Sequence, residues 1–364
     1  MNDKEEKLEN TEDKAFAIAA INGLLKYLKE TQKTSLDHIN KIKIYTVTKY
    51  MLLDLTARRN LEITEKLRDK SRKGTLLWVL DKTSTSMGAR QLKRWLNNPL
   101  IDVEDINKRL NAVKELKESF ITRGEIQESL KKVYDIERLV GKVAYGNANG
   151  RDLIALKNSL GQLPNIKHII STLSSPMLKQ LYQNLDEMSD IYQLIEKSIV
   201  EEPPLTIKEG GLIKLGYHST VDEYKKATTE GKNWIIQLEA EEKEKTGIRN
   251  LKVGFNKVFG YYIEVTKSYL NQVPDRFIRK QTLANCERYI TEELKQIEEK
   301  VLGAEEKIIS LEYELFLDIR AQISSQIRRL QKTANAISTL DVLTTFAQIA
   351  RRYELHTASR RQWR

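Results

Sequence analysis

A mainly α-helical protein with one small β-rich module is predicted by three features of the chain. Turn-formers are scarce, with 6 prolines and 16 glycines in 364 residues of which 31% are charged, a composition that suits long solvated helices. Apolar residues recur at spacings of three and four, most clearly at Leu294, Ile297, Val301, Ala304, Ile308, Leu311 and Leu315, which is the heptad seam of paired helices. Within residues 249–290 that period gives way to alternation, with Tyr261, Ile263 and Val265 against Tyr262, Glu264 and Thr266, as in strands. At this length two or three domains are expected.

Residues 14–30 place Phe16, Ile18, Ala19, Leu24, Leu25 and Leu28 near one face, which predicts a short amphipathic helix. Thr34 through Leu55 is rich in Ile, Val and Thr and reads as an irregular or extended connector. From Thr56 onward the pattern is helical. Ser84-Thr85-Ser86 can cap a helix whose Leu92, Trp95 and Leu96 face inward, and Pro99 stops it. Further helices fit 103–119, 124–145 and 151–161, with breaks at Pro164, Pro176 and Pro203-Pro204 and a glycine-containing turn over 209–218. This helical core spans roughly residues 56–205.

Two long helices then flank the β-rich module. Val221, Tyr224, Ala227, Trp234 and Leu238 set one apolar stripe that ends near Gly247. The heptad seam carries the return helix from 291 to 335, roughly 65 Å at 1.5 Å per residue. The module between them has a predicted hairpin in which Gly254, Asn256 and Gly260 supply the turn chemistry. The fold class is therefore mainly α, a helical core with two long antiparallel lever helices and a small β-rich domain inserted at their tip.

The net charge of +10 favours a polyanionic partner, nucleic acid or an anionic membrane surface. Residues 249–290 concentrate it, with eight basic residues against three acidic ones, while the flanking stalks are rich in glutamate. That distribution suits a module which neutralises phosphates. No apolar stretch approaches the ~20 residues that span a bilayer, and the polar N-terminus does not read as a signal peptide, so a soluble, intracellular protein is expected. One cysteine and four histidines far apart in sequence make neither a disulfide nor a metal site.

Six blocks stand out: TARRNLEIT (56–64), LLWVLDKTSTSMGARQLKRWLNNPL (76–100), DIERLVGKVA (135–144), RDLIALKNSL (151–160), LKVGFNKVFGYYIEVTKS (251–268) and RKQTLANCERYITEEL (279–294). In this order they resemble the MutS family of DNA mismatch-repair proteins. The resemblance implies that residues 1–34 end a connector region, 35–231 form the helical core and first lever, and 232–291 are a DNA clamp. Residues 292–350 are then the return lever and remaining core, and 351–364 depart from the family's pattern. The family's mismatch-wedging domain has no counterpart here. Nor does its ATPase, since no G-x-x-x-x-G-K-[ST] occurs. ATP and Mg belong to the full-length family, no cofactor is expected for this chain, and it is not expected to be an enzyme.

By the same resemblance Asn256, Lys257, Arg279, Lys280, Asn285 and Arg288 are the residues expected to contact the DNA backbone, donating to phosphate oxygens without reading bases. On composition alone a basic run of this kind is a solvated surface. Ala284 stands where some relatives carry a lysine. Tyr261, Tyr262 and Phe259 could stack on bases, but alternating strand positions more often fill a small sheet's own core. Trp78, Trp95 and Trp234 read as packing residues, Ser84-Thr85-Ser86 as a cap and Cys286 as a half-buried spectator. Adjacent acids such as Glu241-Glu242 and Glu298-Glu299 point in different directions on a helix and form no metal cage.

The expected function is the DNA-embracing portion of a mismatch-recognition protein, gripping duplex DNA non-specifically. In the full-length protein it would couple the ATPase state to clamp opening. The alternative is a helical scaffold whose heptad seam serves oligomerisation. A nuclease is a distant third. Expected partners are double-stranded DNA, a second copy of the chain and, in the full-length context, proteins such as MutL, with a cytoplasmic, nucleoid-associated location and no membrane.

Overall fold

The computed structural model describes residues 11–32, 50–256, 258 and 260–356. They fall into two units, Met1–Leu52 and Leu53–Arg364. In the first, helix α1 (Thr11–Gln32) covers the amphipathic segment expected there, and its Phe16, Ile18 and Leu24 are exposed. Most of the connector expected from Thr34 to Leu55 lies outside the described residues.

The second unit begins with short helices: α2 (Leu55–Asn60), α3 (Leu76–Leu80), α4 (Ser86–Asn97), α5 (Val103–Glu118), α6 (Phe120–Leu130), α7 (Ile136–Ala144), α8 (Gly150–Leu160), α9 (Leu163–Ile170), α10 (Pro176–Asn184) and α11 (Ser189–Ser198). Their starts are written in the sequence. Asp54, Thr75, Thr85, Asp102, Asp135 and Asn149 each accept a backbone N–H from the first turn of the helix that follows, relieving donors that have no partner inside the helix. Pro164 and Pro176, expected as breaks, sit in the first turns of α9 and α10, where a missing N–H is harmless. The single helix expected over 124–145 is instead α6 and α7. Asp135 divides them by accepting the Arg138 N–H and starting α7.

Two long helices follow, α12 (Ser219–Thr246), which Gly247 closes at φ 69°, and α13 (Glu292–Ser325). Then comes α14 (Ile327–Arg352). The unbroken return helix expected from 291 to 335 is interrupted at Gln326. There Ser325 Oγ donates to the Gln322 carbonyl and the Gln326 N–H to the Ile323 carbonyl, local bonds that compete with the helical ladder. α14 is buried on nearly every side, from Leu330 to Ile349, and α4, α5, α6, α7 and α10 pack around it. A helix apolar all round belongs at the centre of a core.

One carboxylate lies inside that core. Asp341 of α14 is fully buried and accepts the Ser84 N–H at 2.9 Å, the Thr85 N–H at 2.8 Å and the Thr85 hydroxyl at 2.7 Å. Gly88 provides its space, because a Cβ there would collide with the carboxylate. The α4 N-terminus is therefore capped twice, by Thr85 and by a residue 257 positions away. Burial pushes the Asp341 carboxyl above the ordinary range, with the hydrogen bonds from Ser84 and Thr85 pulling it back only in part.

α12 and α13 run antiparallel, as Tyr224 meets Lys307, Gly231 meets Val301 and Trp234 meets Lys300. Gly231 allows close approach, since Val301 occupies the place of a Cβ. The heptad seam is thereby filled within the chain, and Leu294, Val301, Ala304 and Ile308 are buried. Further along, the buried line passes through Glu312 and Phe316 rather than Leu311 and Leu315, which are only half-buried. Trp95 packs with Phe346 under Arg109 as expected, whereas Trp78 and Trp234 are about half exposed, at 44% and 49%. No helix among the described residues is long and apolar enough to cross a membrane.

Asp341→Ala leaves three buried donors without their acceptor and is expected to lower stability by about 1–3 kcal/mol, read as a shift of the urea midpoint at pH 7. Arg329 of α14 joins Asp186 at 2.9 Å and Asp190 at 2.7 Å, and its hydrogen bonds hold both carboxyls below the ordinary aspartate range. A depressed carboxyl adds stability that is complete above its unfolded value and lost as pH falls through the folded one. The stability gap between the parent chain and Arg329→Gln should thus be about 0.5–1 kcal/mol at pH 7 for so exposed a cluster, and should close as pH falls below the ordinary aspartate range. A gap that widens in acid would contradict this.

Candidate nucleic-acid interface

The chain between α12 and α13 forms an antiparallel sheet of four strands, β1 (Lys252–Asn256), β2 (Gly260–Thr266), β3 (Ile278–Thr282) and β4 (Cys286–Ile290), in the order β1-β2-β4-β3. A 3-10 turn at Lys267–Gln272 follows β2. Alternation along each strand separates two faces. The inner face, with Ile263, Val265 and Tyr289, joins Phe277, Ile290 and Leu251 in a second core, closed by Ile235 and Leu238 of α12 and Leu294 of α13. This small core depends on the helix ends for its closure.

The outer face is polar. Strand register aligns Lys252, Glu264, Arg288 and Gln281 in one row across all four strands. Arg288 donates through Nε to Glu264 at 3.0 Å and through Nη1 to Gln281 at 3.1 Å, and its guanidinium lies 4.0 Å from the Tyr262 ring centroid. Gly254, expected in the turn, is instead inside β1 and pairs with Tyr262. Its place there is spatial, because a Cβ would press into the Tyr262 ring at 2.8 Å. Tyr261 does pack against the inner core beside Phe255, at 4.9 Å between centroids, but Tyr262, expected inside too, serves the outer face as the platform for Arg288. Phe259 lies outside the described residues.

The expected DNA-backbone residues do not form one cluster. Asn256 is half-buried at the end of β1 where its side chain accepts the Val258 N–H at 2.8 Å, and neighbouring Gly260 lies against Glu298 of α13. Lys257 lies outside the described residues. Asn285 is exposed at the opposite end of the sheet, its carbonyl accepting the Lys267 N–H at 3.1 Å. Six steps of β2 separate the two ends, roughly 20 Å. Arg279 and Lys280 stand on the edge strand β3 at a register irregularity between Arg279 and Gln281, and both are exposed. Such a bulge re-aims side chains at a sheet edge.

Charge within the module is partly neutralised from inside. Arg276 pairs with the buried Glu242 of α12, and Arg288 with Glu264. Arg279 lies 3.8 Å from Glu287, whose other oxygen accepts the Tyr289 hydroxyl at 2.6 Å. Burial and that carboxylate push the Tyr289 phenol up to about 12. Arg279 remains 65% exposed, and Arg249, Lys252, Lys267 and Lys280 are exposed too. Burial and Glu264 raise the Cys286 thiol, which disfavours the reactive thiolate. Among the described residues no three His, Cys, Asp or Glu side chains gather as metal ligands. Lys252, Glu264, Lys267 and Gln281 were not singled out as site residues. Strand alternation from Arg288 points to Glu264, yet the pairing that joins them requires the register.

The chain was compared with known proteins. The family model for MutS domain III matches residues 56–347. The chain is 56% identical over 343 residues to the DNA mismatch repair protein MutS of Ruminiclostridium cellulolyticum, covering 94% of this chain and 39% of that protein. It is 58% identical over 347 residues to the DNA mismatch repair protein MutS of Caldanaerobacter subterraneus subsp. tengcongensis, covering 95% and 40%. The chain thus spans about two fifths of the length of the curated relatives it matches. With a domain match across most of its length and over half of its residues shared with these relatives, the chain belongs to the MutS family of DNA mismatch-repair proteins and contains their domain III.

Proposed function

We propose that this chain is the part of a mismatch-repair protein that holds duplex DNA by its backbone, with the four-stranded sheet as a clamp carried on α12 and α13. The observation that carries this reading is the exposure of Lys252, Lys267, Arg279, Lys280 and Asn285 on the outer face, edge and end of a sheet whose inner face alone is packed. Exposed cations and amides on such a surface can meet phosphate oxygens at many positions without reading bases. Arg288 plays a different part. It orders the outer face from within, and Arg279, Lys280 and Asn285 make the contacts.

The family role supports DNA as the partner over self-assembly. So does the lever seam, which α12 occupies within the same chain, leaving it closed as an oligomerisation surface. In the full-length protein α12 and α13 would carry the ATPase state to the clamp, and contacts with a second copy and with MutL would form there. The chain itself contains no phosphate-binding loop sequence and would not hydrolyse ATP. Its site of action would be the cytoplasmic nucleoid.

Fluorescence anisotropy against matched and mismatched duplexes at two salt concentrations tests this. Weak binding is expected, equal for both duplexes within about threefold, with a log–log salt slope of about −2 to −4 if three or four phosphates are neutralised. Tight mismatch-selective binding, or none at low salt, would overturn the reading. Arg279→Ala and Lys280→Ala should each weaken binding to every sequence and reduce the slope by about 1. Arg288→Ala should mainly destabilise the sheet, by about 1–2 kcal/mol for the lost stack and charge-assisted hydrogen bonds, seen as faster amide exchange at Glu264 and Gln281.

A further inference from the structure

The buried line along α13 contains one charged residue. Glu312 lies between Ile308 and Phe316 with no solvent exposure. One carboxylate oxygen sits 2.7 Å from Lys225 Nζ of α12, an ionic contact, and the other accepts the Leu212 N–H at 3.0 Å. Lys225 donates onward to the Ile213 carbonyl at 2.7 Å. Burying half of an ion pair is costly and adds little net stability, so its best-attested use is to select one register over its neighbours.

The segment that Glu312 grips is tied at its other side to the helical core. Ile213 bridges Ile199, the Val200 N–H donates to the Leu212 carbonyl at 3.0 Å, and the Lys214 N–H donates to Ser198 at 2.8 Å. The Lys214 ammonium lies 3.1 Å from both Glu196 and Glu201, which also hold the buried Lys157 of α8. Gly210, at φ 75°, brings the same segment against Ile309, where a Cβ would stand 3.0 Å from Cγ1.

This contact falls at a mechanical boundary. The large core reaches α13 at Leu315 and Phe316, and the sheet's core begins at Ile297, roughly 27 Å further along the helix. Across that span the helices are held mainly by one another, through a thin line of Val301, Ala304 and Ile308 opposite Gly231. A narrow two-helix span bends most easily at its root, and Glu312 is at the root.

We propose that Glu312, Lys225 and the segment at 210–214 form a clasp which sets the register and angle at which the two long helices leave the core, and so where the sheet stands relative to it. Glu312 is a positioning residue in this scheme. The inference rests on reading α12 and α13 as levers and is independent of what the sheet binds.

The test is made on the whole chain without DNA. Spin labels at Gln272→Cys in the 3-10 turn beside the sheet and Gln180→Cys on α10, both exposed positions, are introduced with Cys286→Ser. The distance distribution between them should broaden or shift in Glu312→Gln and in Lys225→Met, and Lys225→Arg should restore the parent distribution. The Leu212 amide should exchange about tenfold faster in the first two variants, with exchange in α5 and α14 unchanged. An unchanged distribution in both variants overturns the proposal, as does faster exchange spread evenly through the core. Should Glu312→Gln fail to fold, Lys225→Met, whose side chain is 27% exposed, decides alone. Failure of the chain to bind DNA would strike the proposed clamp function and leave this measurement intact.

Discussion

The pairing of α12 with α13 carries everything that lies beyond the helical core. Between the two cores the helices stay together by burying a shared stripe, and it is narrow, built from Val301, Ala304 and Ile308 against a surface that Gly231 opens. The sheet has no independent closure. Its inner face is completed by Ile235, Leu238 and Leu294 at the ends of the same helices, so pairing of the helices and folding of the sheet are coupled. Glu312 and Lys225 stand where this pair meets the core, and Asp341 stands inside the core itself. Each is a charge or polar network placed where apolar packing alone would leave more than one arrangement available.

Charge on the sheet has two separate duties. Arg276 and Arg288 answer carboxylates within the protein, Glu242 and Glu264, and so hold the sheet to α12 and its strands to one another. Lys252, Lys267, Arg279 and Lys280 are exposed. A count of basic residues cannot separate these groups, because a guanidinium stacked on Tyr262 and hydrogen-bonded twice is chemically the same group as one in water. The stack on Tyr262 and the burial that goes with it set Arg288 apart, and both come from the fold. The exposed positive charge is accordingly smaller than the net charge of residues 249–290 suggests.

Much of the helical architecture was legible because local chemistry determines it. Thr85, Asp102, Asn149 and Gly247 end or begin helices through bonds made within a few residues, and such bonds are visible in the chain. The misreadings share a cause. Gln326 breaks a periodic apolar run by side-chain bonds that periodicity ignores, and Asp135 divides α6 from α7 where the pattern appears continuous. Glu312 was passed over because a glutamate does not look like a seam residue, although the spacing of four from Ile308 to Phe316 passes through it. The separation of Asn256 from Asn285 is not written in the chain, and only the pairing of β2 with β1 and β4 shows them at opposite ends.

The amino-acid sequence by itself determined the class of the fold, the positions of most helix ends, the site of the β-rich insertion and, through its shared blocks, the family. These are properties of short windows, set by backbone sterics, capping bonds and the period of apolar residues. Tertiary structure alone decided that Arg288 bonds to Glu264 and Gln281 over the Tyr262 ring, that Asp341 caps a helix 257 positions away and that Glu312 of α13 meets Lys225 of α12. Each of these depends on which distant groups share a low-dielectric space. An ion pair or buried acceptor is defined by its partner, and the partner is chosen when the chain has folded.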